Sequence, residues 1–189
     1  MVNNEFTRRA FLKYAGLFTG LGLIKPLSKA DSLIPYENEH KFMGLYYAHI
    51  DAKGAFLLPD EFSDTLTSRD NTIYITNAAF DRCLHVYPIS EWKQLRSKTA
   101  NLDGMEEAVK YFLRRVIASA QSTKVSRSGC IALNKTLMGD AGIGPDTEVA
   151  IVGQLNKIEL WSREEWKAVT DPAIIDAQRY EEALAQYGF

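Results

Sequence analysis

Short apolar runs separated by Gly, Pro and Asp recur along the chain from about residue 45 onward. Runs of this kind, rich in β-branched and aromatic residues, are typical of strands. The pattern predicts strands at residues 45–50, 55–58, 72–76, 148–152 and 157–161, with a further strand running into Tyr87. Asp51–Gly54 has the composition of a tight turn, and Gly153–Asn156 has that of a hairpin loop.

Helical signals lie between and after these strands. The segment 105–120 carries an apolar stripe at helical spacing, which predicts a helix packed by one face: Val109, Phe112, Leu113, Val116 and Ile117. Ser162-x-x-Glu165 is a capping box and predicts the start of a helix that carries Trp166. Asp171-Pro172 predicts the start of a last helix that ends near Gly188. We expect the tryptophans to be core residues.

An internal repeat relates the two halves of the pattern. Tyr87-x-x-x-Glu91-Trp92-Lys93 recurs 74 residues later as Trp161-x-x-x-Glu165-Trp166-Lys167, and Gly54 and Gly129 stand 75 residues apart, each within a turn. Two correspondences in the same order indicate two copies of one unit, at 42 to about 100 and about 123 to 170. We therefore predict a first domain at 42–122 and a second at 123–189, preceded by a leading segment (1–30) and a linker (31–41).

The leading segment has the pattern of a bacterial twin-arginine export signal. Its characteristic residues are Arg8, Arg9, Phe11 and Leu12. They precede 11 mildly apolar residues, Tyr14–Ile24, which are too few to span a bilayer as a helix. Small residues up to Ala30 predict cleavage at that point. The alternatives are an amphipathic N-terminal helix or an internal start of translation at Met43.

Removing this segment makes the chain acidic. Residues 1–30 contain five of the 22 Lys and Arg and one of the 24 Asp and Glu, which leaves 17 basic and 23 acidic residues. The resulting net charge is −6. Nucleic-acid-binding domains usually present a basic face, so this balance argues against a strong general attraction to DNA.

The remaining chemistry-bearing residues do not indicate an enzyme, a cofactor or a metal. The three histidines lack metal-ligand spacing, and two cysteines make neither a disulfide framework nor a Cys-rich metal site. Cys83 lies in an apolar run and is expected to be buried. The glycine-rich segment Gly139–Gly144 lacks the Gly-Lys-Ser/Thr of a phosphate loop and is predicted to be a turn.

Several motifs resemble those of the MraZ family of bacterial regulators, over residues 41 to about 170. The matching segments are Asp51-x-Lys53-Gly54 with Pro59, Cys83-Leu84-x-x-Tyr87-Pro88-x-x-Glu91-Trp92, Ala141-Gly142-Ile143 and Val152-Gly153-Gln154-x-Asn156-Lys157-x-Glu159-Leu160-Trp161. The resemblance implies an α+β fold of two AbrB-like (SpoVT-AbrB) swapped-hairpin units, with a pseudo-two-fold, barrel-like β core and packed helices. It also implies a ring-shaped homo-oligomer and DNA as the partner.

The positions that the resemblance assigns to DNA contact depart from the family pattern. The family's turn motif is Asp-x-x-Gly-Arg, twice per chain, with both arginines directed at DNA. Here the first turn keeps Asp51, Lys53 and Gly54 but ends in Ala55, and the second reads Ser126-Arg127-Ser128-Gly129-Cys130. Four other positions at which members commonly carry arginine hold Met43, Glu61, Ser63 and Met138.

Some basic residues remain near the turns, namely Lys53, Lys124, Arg127 and Lys135. They are candidates for weak phosphate contacts, and the alternative is that they are ordinary solvated surface charges. We expect an exported, non-enzymatic, oligomeric protein of this family that keeps the scaffold and has lost most DNA-contact arginines. The alternative is a DNA-binding transcriptional regulator in the cytoplasm and nucleoid.

Overall fold

The computed structural model of the protein describes residues 42–68, 70–100, 102 and 104–188. The predicted export signal, with Arg8, Arg9, Phe11 and Leu12, lies outside the described residues, as does the linker. The fold is α+β, as predicted. Its strands are β1 (Phe42–Ile50), β2 (Ala55–Leu57), β3 (Thr72–Asn77), β4 (Leu84–Pro88), β5 (Gln121–Lys124), β6 (Cys130–Ala132), β7 (Thr147–Leu155) and β8 (Lys157–Ser162).

Six of the strands form one antiparallel sheet in the order β1-β7-β8-β4-β3-β5, and β2 pairs with β6 in a separate ribbon. This order reads the same from both edges when β1 is exchanged with β5, β3 with β7 and β4 with β8. The edge strands cross between the halves, because β1 pairs with β7 and β5 pairs with β3. The two halves of the chain are therefore interleaved in one sheet. Closure of the sheet into a barrel stays a prediction.

Helices follow the strands in the same order in each half. They are α1 (Asp60–Thr67), α2 (Ile89–Thr99), α3 (Glu107–Phe112), α4 (Lys135–Asp140), α5 (Arg163–Thr170) and α6 (Ala177–Ala185), and α3 continues as a π-helical turn over Leu113–Ile117. Each of α1 and α4 follows a strand of the ribbon, and each of α2 and α5 follows the inner strand of a hairpin. Within the described residues, none of these helices is long and apolar enough to cross a membrane.

The main core lies between one face of the sheet, here called the inner face, and the layer formed by the ribbon, α1 and α4. Alternate residues of β3, β4, β7 and β8 point into it, among them Ile75, Val86, Ile151 and Leu160, which are all buried. From the other side come Phe56 and Ile131 of the ribbon, Phe62 of α1 and Leu137 of α4. This alternation is what the strand pattern of the sequence predicts.

The opposite, outer face of the sheet carries a second, smaller cluster. Cys83, Ala78, Ala150 and Trp161 are buried there, with Trp166 packed against them. On the other half of this face, Trp92 of α2 stacks on Tyr74 with ring centroids 5.0 Å apart. Trp92 and Trp161 are core residues, as predicted, whereas Trp166 is only half-buried. The prediction that Cys83 is buried is confirmed.

The structure corrects two boundaries. Gly153–Asn156 is not a four-residue loop, because β7 continues to Leu155 and the pair Gln154↔Lys157 remains in the ladder. Leu155 completes the tight reversal with φ of +58°. The last helix begins at Ala177 rather than at Asp171-Pro172, because the side chain of Asp176 accepts a hydrogen bond from Arg179 N and caps it.

The other helix signals are confirmed. The helix predicted at 105–120 spans α3 and its π turn, with Val109 and Val116 buried. Ser162 Oγ accepts a hydrogen bond from Glu165 N (3.2 Å) at the start of α5, so half of the capping box forms. The Glu165 carboxylate binds Arg82 instead, at 2.9 Å. Gly139 lies in the last turn of α4, and Gly142 (φ +66°) reverses the chain after it.

Candidate nucleic-acid interface

The two turns that the resemblance assigns to DNA contact lie at opposite ends of the β2–β6 ribbon. The antiparallel register pairs Ala55 with Ala132 and Leu57 with Cys130, so each turn adjoins the far end of the other strand. Reciprocal main-chain hydrogen bonds close both ends: Leu58 N donates to Gly129 O (3.0 Å), and Leu133 N donates to Gly54 O (2.9 Å). The ribbon and its turns therefore form one two-fold-related unit.

The first turn is held by the carboxylate of Asp51. Its Oδ1 accepts from Lys53 N and from Ala55 N, both at 2.8 Å. The Ala55 hydrogen bond is the largest of the contacts that lower the pKa of Asp51. Gly54 has φ of +83°, and a Cβ there would lie 2.3 Å from Leu133 O. Asp51 and Gly54 are thus required by the turn itself, independently of any ligand.

The second turn reaches the same backbone geometry with different side chains. Ser126 Oγ accepts from Cys130 N (2.9 Å) and lies 2.9 Å from Ser128 Oγ. Main-chain hydrogen bonds from Ser126 N to Cys130 O and from Gly129 N to Ser126 O match those of the first turn. The Ser126 hydroxyl thus replaces the carboxylate as the acceptor that closes the turn. The sequence shows that the family aspartate is absent here, but only the structure shows that its structural role is retained.

The positions that follow the two glycine-containing turns are occupied by small side chains. Ala55 and Cys130 are both half-buried at the start of β2 and β6. An alanine methyl group carries no charge and donates no hydrogen bond, and a thiol is only a weak donor. Neither side chain can neutralise a phosphate or form the bidentate contact to guanine that arginine makes.

Four cationic side chains remain around the ribbon, and all are exposed: Lys53, Lys124, Arg127 and Lys135. Among the described residues, none of the four has a carboxylate oxygen within 4.0 Å. The structure therefore brings every basic residue singled out by the sequence to the surface near the turns. Their charges are available to solvent or to an anionic partner.

The two turns differ in electrostatic surroundings. α1 packs on the second turn, where a Cβ on Gly129 would lie 3.1 Å from Ser63 Cβ. That helix contributes Asp60, Glu61 and Asp64 and no basic residue. α4, which begins with Lys135, packs on the first turn through Met138, whose Sδ would lie 3.0 Å from a Cβ on Gly54. Sequence analysis missed this neighbourhood, because only the exchange of helices between halves brings an acidic helix to Arg127.

An open cleft of about 560 Å³ adjoins the second turn. Its lining is polar and consists of Thr67, Asp70, Asn71, Val125, Ser126 and Arg127. Asn71 Nδ2 donates to Val125 O (3.1 Å), and Asp70 Oδ1 accepts from Thr72 N (2.9 Å), which helps to lower the pKa of Asp70. These polar groups serve the backbone, and the cleft contains no arrangement of nucleophile and base.

A buried polar cluster lies on the outer face of the central strands, away from the ribbon. Glu159 accepts from Lys157 Nζ at 2.6 Å and from Trp161 Nε1 at 3.1 Å, and its carboxylate lies 3.2 Å from His85 Nε2. Burial opposes ionisation of Glu159, but the hydrogen bonds from His85 and Lys157 outweigh it and lower its pKa to about 2. Burial lowers the pKa of His85, whose Nδ1 lies 3.1 Å from the Tyr87 hydroxyl.

This cluster contacts no cavity in the described part of the chain, and every polar group named in it has a partner. Nor do the described residues bring three or more His, Cys, Asp or Glu side chains together as a candidate metal site. The cluster is therefore a structural element of the central strand pair.

Comparison with known proteins gives relatives across most of the chain. A protein of Lachnoclostridium phytofermentans is 36% identical over 127 residues, which cover 67% of this chain and 85% of the relative. One of Pseudomonas putida is 35% identical over 130 residues, covering 68% and 85%. One of Acetivibrio thermocellus is 29% identical over 147 residues, covering 78% and 99%.

All three relatives carry the name transcriptional regulator MraZ. No protein-family model matches the chain. The identity with the first two relatives exceeds 30% over most of their length, and the motifs of the turns, the GQxNKxELW hairpin and the interleaved sheet accompany it. The chain therefore belongs to the MraZ family, a family of transcriptional-regulator type.

Proposed function

We propose that this protein is a non-enzymatic, homo-oligomeric member of the MraZ family that keeps the family scaffold and binds duplex DNA only weakly through its turns. The observation that carries the proposal is the pair of small side chains, Ala55 and Cys130, at the ends of two otherwise intact turns. The N-terminal pattern around Arg8 and Arg9 supports a location outside the cytoplasm, reached by the twin-arginine route.

The loss of two arginines per chain has a large expected effect on DNA affinity. Each Lys or Arg that neutralises a phosphate releases counterions and adds about 0.9 to the salt dependence of binding to B-DNA. A bidentate arginine–guanine contact adds about 1–3 kcal/mol of discrimination between bases. In an oligomer the deficit repeats in every subunit. The acidic α1 next to Arg127 opposes the remaining attraction at the second turn.

A second candidate function is that of a cytoplasmic DNA-binding transcriptional regulator. It is favoured by the four exposed cations Lys53, Lys124, Arg127 and Lys135, and by the name that the relatives carry. For this function, phosphate contacts from these four side chains must replace the absent arginines. Two experiments separate the candidates, one on DNA affinity and one on location.

The first experiment measures binding of the full chain to a labelled duplex from its own promoter region, by fluorescence anisotropy between 50 and 200 mM salt. We compare the wild type with the Ala55→Arg/Cys130→Arg variant, and with a control that adds two arginines at exposed positions away from the ribbon, Ala118→Arg/Ala168→Arg. We expect weak binding by the wild type and the control. The turn variant should bind at least about tenfold more tightly at the lowest salt concentration, with a steeper salt dependence. Nanomolar binding by the wild type at 150 mM salt would establish the regulator instead.

The second experiment locates a C-terminally tagged full chain by cell fractionation, beside an Arg8→Lys/Arg9→Lys variant. We expect the wild type outside the cytoplasm in a shortened form, and the variant inside at full length. Retention of both proteins in the cytoplasm contradicts export, whatever the result on DNA.

A further inference from the structure

Two apolar surfaces of the described chain have no partner, and the first lies on the outer face of edge strand β1. We call it the β1 patch. It consists of Met43, Leu45 and Tyr47, with Leu155 beside them on β7, and their exposed fractions are 63%, 44%, 44% and 52%. Edge strands are usually protected by charges or covered by other elements. Here the outward-facing positions over residues 43–47 are all apolar.

The second surface is one side of α6. We call it the α6 stripe, and it consists of Ala177, Tyr180, Leu184 and Tyr187, which follow the three- and four-residue spacing of one helix face. Tyr180 and Leu184 are 48% exposed, Tyr187 is 77% exposed, and no residue of the helix is buried. A nine-residue helix is too short to persist in water on its own, even with the Asp176 cap. Its amphipathic sequence therefore requires a surface that covers the stripe.

The interleaved symmetry of the fold indicates where such a helix packs. The counterpart of α6 in the first half is α3 with its π turn, since each is the second helix after the inner strand of its hairpin. That first-half segment covers the outer face of β3: Val116 is buried, Thr76 Oγ1 lies 2.9 Å from Ser119 Oγ, and Ser119 Oγ accepts from Asn77 N. The counterpart of β3 is β7, whose outer face continues into the β1 patch.

We propose that the α6 stripe of one copy of this chain docks on the β1 patch of a second copy. The second copy is the occupant because α6, although capped and amphipathic, buries none of its residues against its own sheet. The contact joins two different surfaces, so repetition of it forms a closed ring when the rotation between copies permits. This inference rests on the homo-oligomer of the proposed function and is independent of DNA binding.

The size of the contact suits a repeated, moderately strong interface. The half-exposed side chains of the stripe and the patch each leave on the order of 100 Å² to be covered, since fully buried aromatic side chains cover about 150–250 Å². The sum is somewhat below the roughly 1,200 Å² of stable pairwise interfaces. A ring gives every copy two such contacts, so the closed assembly is stabilised where an isolated pair is weak.

The test begins with sedimentation velocity of the full chain at micromolar concentration. The stripe variant Tyr180→Glu/Leu184→Glu places two charges in the contact, and the control Gln178→Glu/Gln186→Glu places two charges on the polar face of the same helix. We expect the wild type and the control to be oligomeric and the stripe variant to be monomeric. Circular dichroism and thermal unfolding check that each variant is folded.

The matching patch variant is Met43→Glu/Leu45→Glu, with a control on the opposite edge strand, Gln121→Glu/Ser122→Glu. The patch variant is also expected to be monomeric, and its control oligomeric. The decisive measurement mixes the two monomeric variants in equal amounts. The stripe variant retains an intact patch and the patch variant retains an intact stripe, so the mixture should form a 1:1 heterodimer and nothing larger.

Three results would overturn the docking. A monomeric wild type removes both the docking and the proposed homo-oligomer. Oligomers that persist in both variants retain the homo-oligomer but place its interface elsewhere. Folded monomeric variants that fail to associate on mixing contradict a contact between stripe and patch, as does a patch variant that dimerises alone through its helices.

Discussion

Replacement of Glu159 by glutamine is expected to lower the free energy of unfolding by about 3 kcal/mol at pH 7. The side chain of Glu159 is 9% exposed and receives hydrogen bonds from Lys157 and Trp161, with His85 Nε2 also 3.2 Å away. Its pKa falls from 4.5 to about 2 in the folded protein. A tenfold change in proton affinity corresponds to about 1.4 kcal/mol, so the ionised carboxylate stabilises the native state by roughly 3 kcal/mol.

The sign of the pH dependence follows from the direction of the shift. Because the pKa is lower in the folded state, the stabilisation is fully present above the unfolded value of 4.5 and is lost as the pH falls toward about 2. The difference between the wild type and Glu159→Gln should therefore shrink to about half at pH 3. Glutamine has the size of glutamate, but it leaves the Lys157 ammonium without its counter-charge.

Urea unfolding at pH 7, 5 and 3, followed by circular dichroism, measures this difference. The control is Glu148→Gln, which removes a carboxylate from an exposed ion pair with Arg163 (3.2 Å, about half exposed on both sides). Such pairs contribute about 0–1 kcal/mol, so the control should unfold nearly as the wild type does. The reasoning is refuted if Glu159→Gln is as stable as the control at pH 7, or if its deficit is the same at pH 3.

Three further predictions concern turns, caps and thiols. Gly54→Ala should lower the free energy of unfolding by more than about 1 kcal/mol, because Gly54 has positive φ and no room for a Cβ, whereas Gly139→Ala, in an open helical position, should raise it by about 0.5–1 kcal/mol; urea unfolding of both variants is the check. Ser162→Ala removes the α5 cap and should lower the free energy of unfolding by about 1 kcal/mol, and equal midpoints would contradict the cap's role. In the native protein Cys130 should react with a thiol reagent at pH 8 and Cys83 should not, because burial raises the pKa of Cys83; two equally fast thiols would be the contrary result.

The sequence by itself determined the family, the α+β class and most strands, because these depend on local patterns. Strand positions follow from two-residue periodicity, and the helices at α3 and α5 follow from apolar spacing and from the Ser162 cap. The small residues at 55 and 130 are also visible in the sequence without any structure. Boundaries that depend on single capping contacts were less accurate, as the start of α6 at Asp176 shows.

Only the tertiary structure decided how the two halves combine. The exchange of edge strands between halves depends on long-range pairing, which has no local signature in the sequence. That exchange places the acidic α1 beside the turn of Arg127, and it identifies the outer face of β7 as the counterpart of the surface that α3 covers. Likewise, Ser126 replaces an aspartate through a hydrogen bond whose geometry residue types alone do not specify. Local patterns therefore determine which elements form, and packing between distant segments determines which charges and apolar surfaces meet.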